Sequence, residues 1–200
     1  MLEFLTIAIL HLFAVASPGP DFLLVTRQSL RFGRSVAIWS SAGIATGILF
    51  HSFIAITGVS LIISSNPSLF DWLKVCAAIY IAYLGCLSFF STSRSNKDKD
   101  GRKNENHFGA YILGLITNIL NPKAILFFVT VYTAVVNEST TKPLLSFYGL
   151  YMSVTTFIWF SCISYIFSNQ VMTNKYQNFF PIFEKVIGII LIIIAIQLFL

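Results

Sequence analysis

The amino-acid sequence predicts an all-α, polytopic membrane protein with six transmembrane helices, arranged as two inverted three-helix repeats. Of the 200 residues, 56% are hydrophobic and only 10% are charged, whereas an ordinary soluble domain carries roughly 25% charged residues. Six apolar stretches are long enough to cross a bilayer, and two of them contain proline motifs at matching places. This composition excludes a soluble enzyme, a nucleic-acid-binding module and a disordered chain.

The six spans follow from the requirement of about 20 apolar residues for each membrane-crossing helix. The first span contains Ala14-Val15-Ala16, which is similar to a signal-peptidase site. The sequence begins Met1-Leu2-Glu3, however, without the basic residues of a signal peptide, so the first span is predicted to stay uncleaved. The predicted spans are 3–30, 35–64, 70–91, 108–135, 143–168 and 179–200.

Basic residues predict which loops face the cytoplasm, because Lys and Arg are enriched on that side of a membrane. The loops after spans one, three and five hold ten of the 13 basic residues, and those after spans two and four hold only Lys74 and Lys142. The odd loops, including residues 92–107, are therefore predicted to be cytoplasmic and both termini to lie outside. The net charge of +5 thus indicates topology and no nucleic-acid partner.

Two of the spans are interrupted at their midpoints. The first carries Ser17-Pro18-Gly19-Pro20-Asp21, and the fourth carries Asn121-Pro122-Lys123-Ala124. Aligning Pro18 with Pro122 divides a single transmembrane domain, residues 1–200, into pseudo-repeats 1–91 and 108–200. Because each half has three spans, the second half enters the membrane from the opposite side. Interrupted helices at matching places of inverted halves indicate a transporter binding site, and two coincidental proline kinks are the alternative interpretation.

Each break is predicted to begin a half-helix whose N-terminus lies in the middle of the membrane. Proline lacks an N–H group and suits the first turn of a helix. Ser17 and Asn121 each stand directly before a proline and are candidate N-caps. The unpaired N–H groups and the positive end of the helix dipole attract an anionic group, for instance a substrate carboxylate.

Asp21 and Lys123 lie in these breaks, and no other Asp, Glu, Lys or Arg is placed near the midplane. A charge at that depth is costly, so each indicates a functional site. In one interpretation Asp21 binds a substrate ammonium group or a coupling proton, while Lys123 and the helix ends hold a carboxylate. Such an arrangement suits a zwitterion. In the other interpretation the two residues form a pair that locks the halves together.

Further polar or small residues within the spans are each open to two interpretations. His51 relays a proton or is a hydrogen-bonded structural residue. Thr117 and Asn118, one turn before the second break, line a cavity or bond to the opened helix. Gly43 and Gly47 form a helix-contact motif that serves dimerisation or packing within one subunit, which leaves a homo-oligomer open.

No catalytic constellation is present. The HExxH, GxSxG, P-loop and dinucleotide motifs are absent from the sequence, and the three cysteines lack metal-ligand spacing. The sequence therefore predicts no enzyme activity, no catalytic residues, no cofactor and no metal site. Two alternatives to an ion-gradient-driven exporter of amino acids are a membrane enzyme or scaffold acting on lipid, and an exporter of cations.

The proline motifs also carry a family resemblance. The first, at residues 17–22 and preceded by His11-Leu12-Phe13-Ala14, resembles the first-span motif of the LysE/RhtB amino-acid exporters. Residues 114–118, followed by Asn121-Pro122-Lys123-Ala124-Ile125, resemble the second motif of that family, and residues 80–85 resemble the end of its third span. The resemblance covers essentially the whole chain, including the charged loop 92–107.

This resemblance implies a bacterial inner-membrane exporter of small neutral amino acids such as threonine or homoserine, working by proton antiport. Asp21, at a position where many members carry Asn, is most similar to the threonine-exporter branch. The aromatic-rich segment 127–132 departs from the lining expected of the family, which leaves the exact substrate open. The expected partners are the amino acid, protons and membrane lipid. The expected substrate-binding and coupling residues are Asp21, Lys123, Ser17, Pro18, Gly19, Pro20, Asn118, Asn121, Pro122 and His51.

Overall fold

The computed structural model describes residues 2–17, 19–65, 106–137 and 139–169 continuously, together with single positions between 68 and 90 and between 182 and 196. Most of predicted spans three and six, most of the loop 92–107, and Pro18 lie outside the described residues. All regular structure in the four continuous ranges is helical. The helices are α1 Leu2–Ala16, α2 Pro20–Phe32, α3 Arg34–Ser65, α4 His107–Ile119, α5 Pro122–Thr130 and α6 Lys142–Ser168, with a π-helix at Val131–Val135 after α5.

Four of the predicted spans agree with these helices to within two residues at each end. Helix α3 over Arg34–Gly58 and the whole of α6 are long and apolar enough to cross a membrane by themselves. The α1–α2 pair bends by 52°, and α4 bends by 55° against the helix Pro122–Val135. Each bent pair is long and apolar enough to count as one broken span, which makes up to four candidate spans among the described residues.

Helix boundaries follow from local sequence. Gly33 separates α2 from α3 with φ of +89°, a backbone conformation that residues with a Cβ rarely adopt. Helix α6 begins with a proline in its first turn, where the missing N–H group costs no hydrogen bond. The π-helix was not predicted; the Val136 N–H donates to the Val131 carbonyl across five residues, at 3.1 Å.

Helix α3 is the central element, and glycines bring its neighbours close. A Cβ atom added at Gly43 would overlap the Tyr111 carbonyl oxygen of α4, and one added at Gly114 of α4 would overlap the Ser40 carbonyl oxygen. Gly47 packs in the same way against the Asn118 side chain. The Gly43 and Gly47 motif therefore serves helix packing within the subunit, one of its two interpretations.

The described helices bury two apolar clusters and expose an apolar outer face. Leu23, Phe53 and Leu120 are 65%, 68% and 70% exposed, as suits side chains that face lipid instead of water. One cluster joins α1, α3, α5, the π-helix and α6, and the other joins α2, α3 and α6. Ala14 and Ala16, just before the first break, belong to one cluster and Phe22, just after it, to the other, so the irregular backbone of this break lies among protein side chains.

Candidate functional site

The second break, between α4 and α5, is held open by its own residues. Asn121 is the N-cap of α5, as predicted: its side chain accepts a hydrogen bond from the Lys123 N–H at 3.0 Å. Pro122 occupies the first turn of α5 and cannot donate to the Asn118 carbonyl four residues earlier. That carbonyl instead accepts from the Asn121 N–H and from His51 Nε2, each at 3.0 Å.

The first break, between α1 and α2, differs from the prediction. Ser17 is not the N-cap of α2; the prediction was wrong, because α2 begins two residues later than expected, at Pro20, with Gly19 as the N-cap in an extended conformation. Gly19 supplies no side-chain cap. Ser17 instead ends α1, where its N–H donates to the Phe13 carbonyl and its hydroxyl donates to the Ala14 carbonyl at 3.2 Å. Ala14 stands four residues before Pro18, so the hydroxyl replaces the N–H group that proline lacks.

Asp21 connects the first break to the second. Its Oδ2 atom accepts hydrogen bonds from the Asn118 and Asn121 side-chain amides, at 2.8 and 3.0 Å. Its Oδ1 atom is buried and has no hydrogen-bond partner among the described residues. Asp21 lies in the first turn of α2, where the helix dipole favours a carboxylate. One carboxylate oxygen is therefore fixed, and the other is available to a ligand.

Lys123 makes the reverse connection, from the second break to the first. Its Nζ atom donates to the Ser17 carbonyl oxygen at 2.7 Å and also contacts the Ser17 hydroxyl. The side chain passes over Gly19, where an added Cβ atom would lie 3.3 Å from Lys123 Cδ. The absence of a side chain at Gly19 therefore leaves room for the lysine. Each break thus supplies a charged residue that binds polar groups of the other.

A small cavity lies where the breaks meet. Its volume is about 40 Å³, room for a few water molecules where one needs roughly 10–15 Å³. Both polar and aromatic side chains line it. The lining residues include Ser17, Gly19, Asp21, Asn118, Asn121 and Lys123 from the breaks, His11 from α1, Thr156 and Phe160 from α6, Ile48 from α3, and Phe127 and Phe128 from α5.

The structure brings most of the predicted site residues together. His51 is buried beside the site but does not line the cavity; it bonds to the Asn118 carbonyl and stacks on Phe128 at 5.7 Å between ring centroids. This hydrogen bond is the one that the structural interpretation expects, and proton relay by His51 stays a prediction. Asn118 is fully buried and lines the cavity, whereas Thr117 is half-buried and does not line it.

Two residues that line the cavity were not predicted from the sequence as site residues. His11 is 2% exposed, and its Nε2 atom lies 3.0 Å from the Thr156 hydroxyl of α6. A signal for His11 exists: it is an ionisable residue in an otherwise apolar run ten residues before Asp21. Thr156 has no such signal, because threonines are frequent in these spans and only the fold brings this one to the cavity.

Nearly all of the chain is similar to a family of membrane transporters. The family described as LysE type translocator matches residues 12–200. The uncharacterized membrane protein YrhP of Bacillus subtilis (strain 168) is 31% identical over 187 residues, 89% of either chain. The threonine efflux proteins of Salmonella typhimurium and Escherichia coli K12 are 27% and 28% identical, over 89% of this chain and 88% of theirs. No solved structure matches the chain significantly.

The family match, the apolar helices and the paired helix breaks all indicate a membrane transporter. A match over residues 12–200 spans both breaks and all of the described helices after the first turns of α1. Membership of a translocator family also excludes the membrane enzyme that the sequence left as an alternative. The chain belongs to the LysE type translocator family, and it is a membrane transporter and not an enzyme.

Proposed function

We propose that this transporter exports small neutral amino acids, of which threonine and homoserine are the first candidates, across the bacterial inner membrane in exchange for protons. One observation carries the proposal: a carboxylate, an ammonium group and two helix N-termini meet at a single small cavity. A zwitterionic amino acid has the complementary charges. The threonine efflux relatives support the same substrate class.

The two charged groups suit the two ends of an amino acid. The Oδ1 atom of Asp21, without a hydrogen-bond partner among the described residues, would accept from the substrate ammonium group. The Nζ atom of Lys123 would transfer from Ser17 to the substrate carboxylate, with help from the positive ends of α2 and α5. The site then binds a molecule without net charge by pairing each of its charges.

Proton coupling follows if Asp21 holds either a substrate ammonium group or a proton. The two ligands exclude each other at one carboxylate oxygen, so inward movement of a proton accompanies outward movement of substrate. We propose alternating access between two inverted halves of three spans each, with residues 1–91 and 108–200 as the pseudo-repeats. Hydrogen bonds from the Asn118 amide to Asp21 and from Lys123 to Ser17 join the two halves.

The proposed orientation places both termini outside and the basic loops, including 92–107, in the cytoplasm. The placement of ten of 13 basic residues in the odd loops supports it. A cysteine introduced near either terminus of a cysteine-free variant should react with a membrane-impermeant maleimide in intact cells. A cysteine introduced in the loop, by Ser95→Cys, should react only after lysis, and the reverse labelling pattern would overturn the orientation.

The function is tested by efflux from proteoliposomes loaded with labelled threonine. Asp21→Ala should abolish efflux while the protein stays in the membrane, because substrate loses its ammonium partner. Asp21→Asn should keep downhill efflux and lose uphill export under a proton gradient, because an amide binds substrate but does not take up a proton. Asp98→Asn, in the charged loop, is the matched control and should behave as the unmodified chain does. Full efflux by Asp21→Ala would overturn the assigned role.

The substrate class is tested separately by measuring the intracellular pools of all amino acids after dipeptide loading, with and without the protein. We expect the pools of threonine and homoserine to fall when the protein is present. If no amino-acid pool changes and a cation is exported instead, the proposal is wrong and the cation alternative is correct.

A further inference from the structure

The cavity has a second polar group, His11 and Thr156, that zwitterion binding does not use. His11 and Thr156 are 2% and 1% exposed, and both line the cavity that Asp21 and Lys123 line. Phe127 and Phe160, which also line it, are aromatic. A polar pair in an apolar wall is costly to bury unless its hydrogen bonds are satisfied, so the direction of those bonds matters.

The hydrogen bonds around His11 are assigned a direction from the contacts of Thr155. The Thr155 hydroxyl donates to the Tyr151 carbonyl at 2.8 Å and also to the Met152 carbonyl at 3.2 Å. Because the Tyr151 carbonyl at 2.8 Å is a closer acceptor for its one proton than His11 Nδ1 at 3.3 Å, we assign the Thr155 oxygen as the acceptor of a hydrogen bond from Nδ1. A neutral imidazole that donates through Nδ1 accepts through Nε2. The Thr156 hydroxyl, 3.0 Å from Nε2, must then be the donor.

The consequence is a hydroxyl group with a set orientation. The proton of Thr156 points to His11, and the oxygen lone pairs remain for other partners. Among the described residues Thr156 makes no side-chain hydrogen bond except the one to His11, and it lines the cavity. Thr156 therefore presents a hydrogen-bond acceptor to whatever enters the cavity beside Asp21.

We propose that Thr156, oriented by His11, is the side-chain subsite of the transporter and selects amino acids whose side chain donates a hydrogen bond, a hydroxyl group above all. This inference rests on the proposed export of amino acids and adds the residue that distinguishes between them. An amino acid held by its charged groups at Asp21 and Lys123 would have its side chain in the same cavity, which Thr156 also lines. A hydroxyl there donates to Thr156, whereas a methyl group in the same place leaves the acceptor unpaired.

Threonine and valine make the sharpest pair of test substrates because they have nearly the same shape and differ by a hydroxyl group. The ratio of their kcat/KM values for efflux is measured in proteoliposomes. Loss of one neutral hydrogen bond corresponds to about a 3- to 10-fold change in that ratio. Thr156→Val should lower the threonine preference by this factor and leave valine efflux unchanged or faster. Thr156→Ser, which keeps the hydroxyl, should retain most of the preference.

Two further variants distinguish a specific effect of Thr156 on substrate preference from a general effect of altered packing. Thr133→Val replaces another fully buried threonine, which bonds to the Val129 carbonyl of its own helix and does not line the cavity; its ratio should be unchanged. His11→Phe should lower the ratio less than Thr156→Val does, because Thr156 keeps its hydroxyl and loses only its orientation. A ratio compares two substrates on one protein, so partial misfolding does not change it.

The outcomes distinguish this inference from the proposed function. If the unmodified chain exports amino acids but does not prefer threonine to valine, or if Thr156→Val keeps the full preference, the subsite is wrong and the export function stands. If the unmodified chain exports no amino acid at all, both are wrong. A lower threonine preference in Thr156→Val, with Thr133→Val unchanged, supports the subsite.

Discussion

Both helix breaks have a polar residue directly before a proline, but different contacts stabilise them. The second break has its own cap, Asn121. The Asn118 carbonyl, which Pro122 cannot bond, accepts a hydrogen bond from His51 of α3. The first break has Gly19 as a cap without a side chain, and the carbonyl of Ser17 accepts from Lys123 of the second break. The second break thus has a side-chain cap of its own, whereas a carbonyl of the first break is satisfied by a residue of the second. Substrate that draws Lys123 away from Ser17 would loosen the first break selectively.

Removal of Lys123 should have the largest effect on the stability of the protein and on transport. Lys123→Met takes away the donor to Ser17 and leaves the Asp21 carboxylate without a nearby cation, which should lower the unfolding free energy by on the order of 3 kcal/mol and abolish efflux. Thermal unfolding in detergent measures the first effect. Lys142→Met, at an exposed lysine that begins α6, is the control. Adding Asp21→Asn should recover part of the stability but none of the transport; no recovery would contradict the coupling of the two charges.

Removal of the cap at the second break should have the next largest effect. Asn121→Ala loses the bond to the Lys123 N–H and the bond to Asp21. The expected cost in unfolding free energy is about 2 kcal/mol. Asn121→Asp keeps a capping oxygen but places a carboxylate against Asp21, so it separates the two contributions. If Asn121→Asp is as stable as the unmodified chain, the contact with Asp21 contributes little.

The corresponding change at the first break should cost less. Ser17→Ala removes the hydroxyl that bonds to Ala14 and contacts Lys123, but the Ser17 carbonyl still accepts from Nζ. We expect a loss of about 1 kcal/mol in unfolding free energy and reduced but measurable efflux. A loss equal to that of Asn121→Ala would mean that Ser17 has a capping role after all.

The smallest effect is expected at Gly19. Its backbone is extended, which any residue adopts, so Gly19→Ala should change the unfolding free energy by less than about 0.5 kcal/mol. The added Cβ atom would press on the Lys123 side chain at 3.3 Å, so efflux should fall more than stability does. Gly33→Ala is the contrasting variant: because its φ is +89°, we expect a cost of about 1 kcal/mol in stability and no loss of efflux.

Much of this organisation could be predicted from the sequence, because prolines and polar residues are conspicuous in apolar spans. Apolar length predicted the helix bounds, and Asn121 directly before Pro122 predicted the cap of α5. At the first break two prolines stand close together, and local sequence does not decide which one begins the helix. The start at Pro20 instead of Pro18 made the prediction for Ser17 wrong.

Contacts between distant residues could not be predicted in the same way. His11 and Thr156 are separated by 145 positions, and their hydrogen bond depends on how α1 packs against α6. The hydrogen bond between His51 and Asn118 spans 67 positions and likewise arises from packing. The π-helix has no sequence signal comparable to a proline. These features depend on tertiary contacts, which the local pattern of a single sequence does not reveal.

Competition in a counterflow assay shows whether the two breaks form one site for a zwitterion. Proteoliposomes exchange labelled threonine in the presence of unlabelled threonine, threonine methyl ester, which lacks the carboxylate, or N-acetyl-threonine, which lacks the ammonium group. A site with Asp21 at one end and Lys123 at the other predicts that only unmodified threonine competes. Equal inhibition by either blocked compound would contradict it.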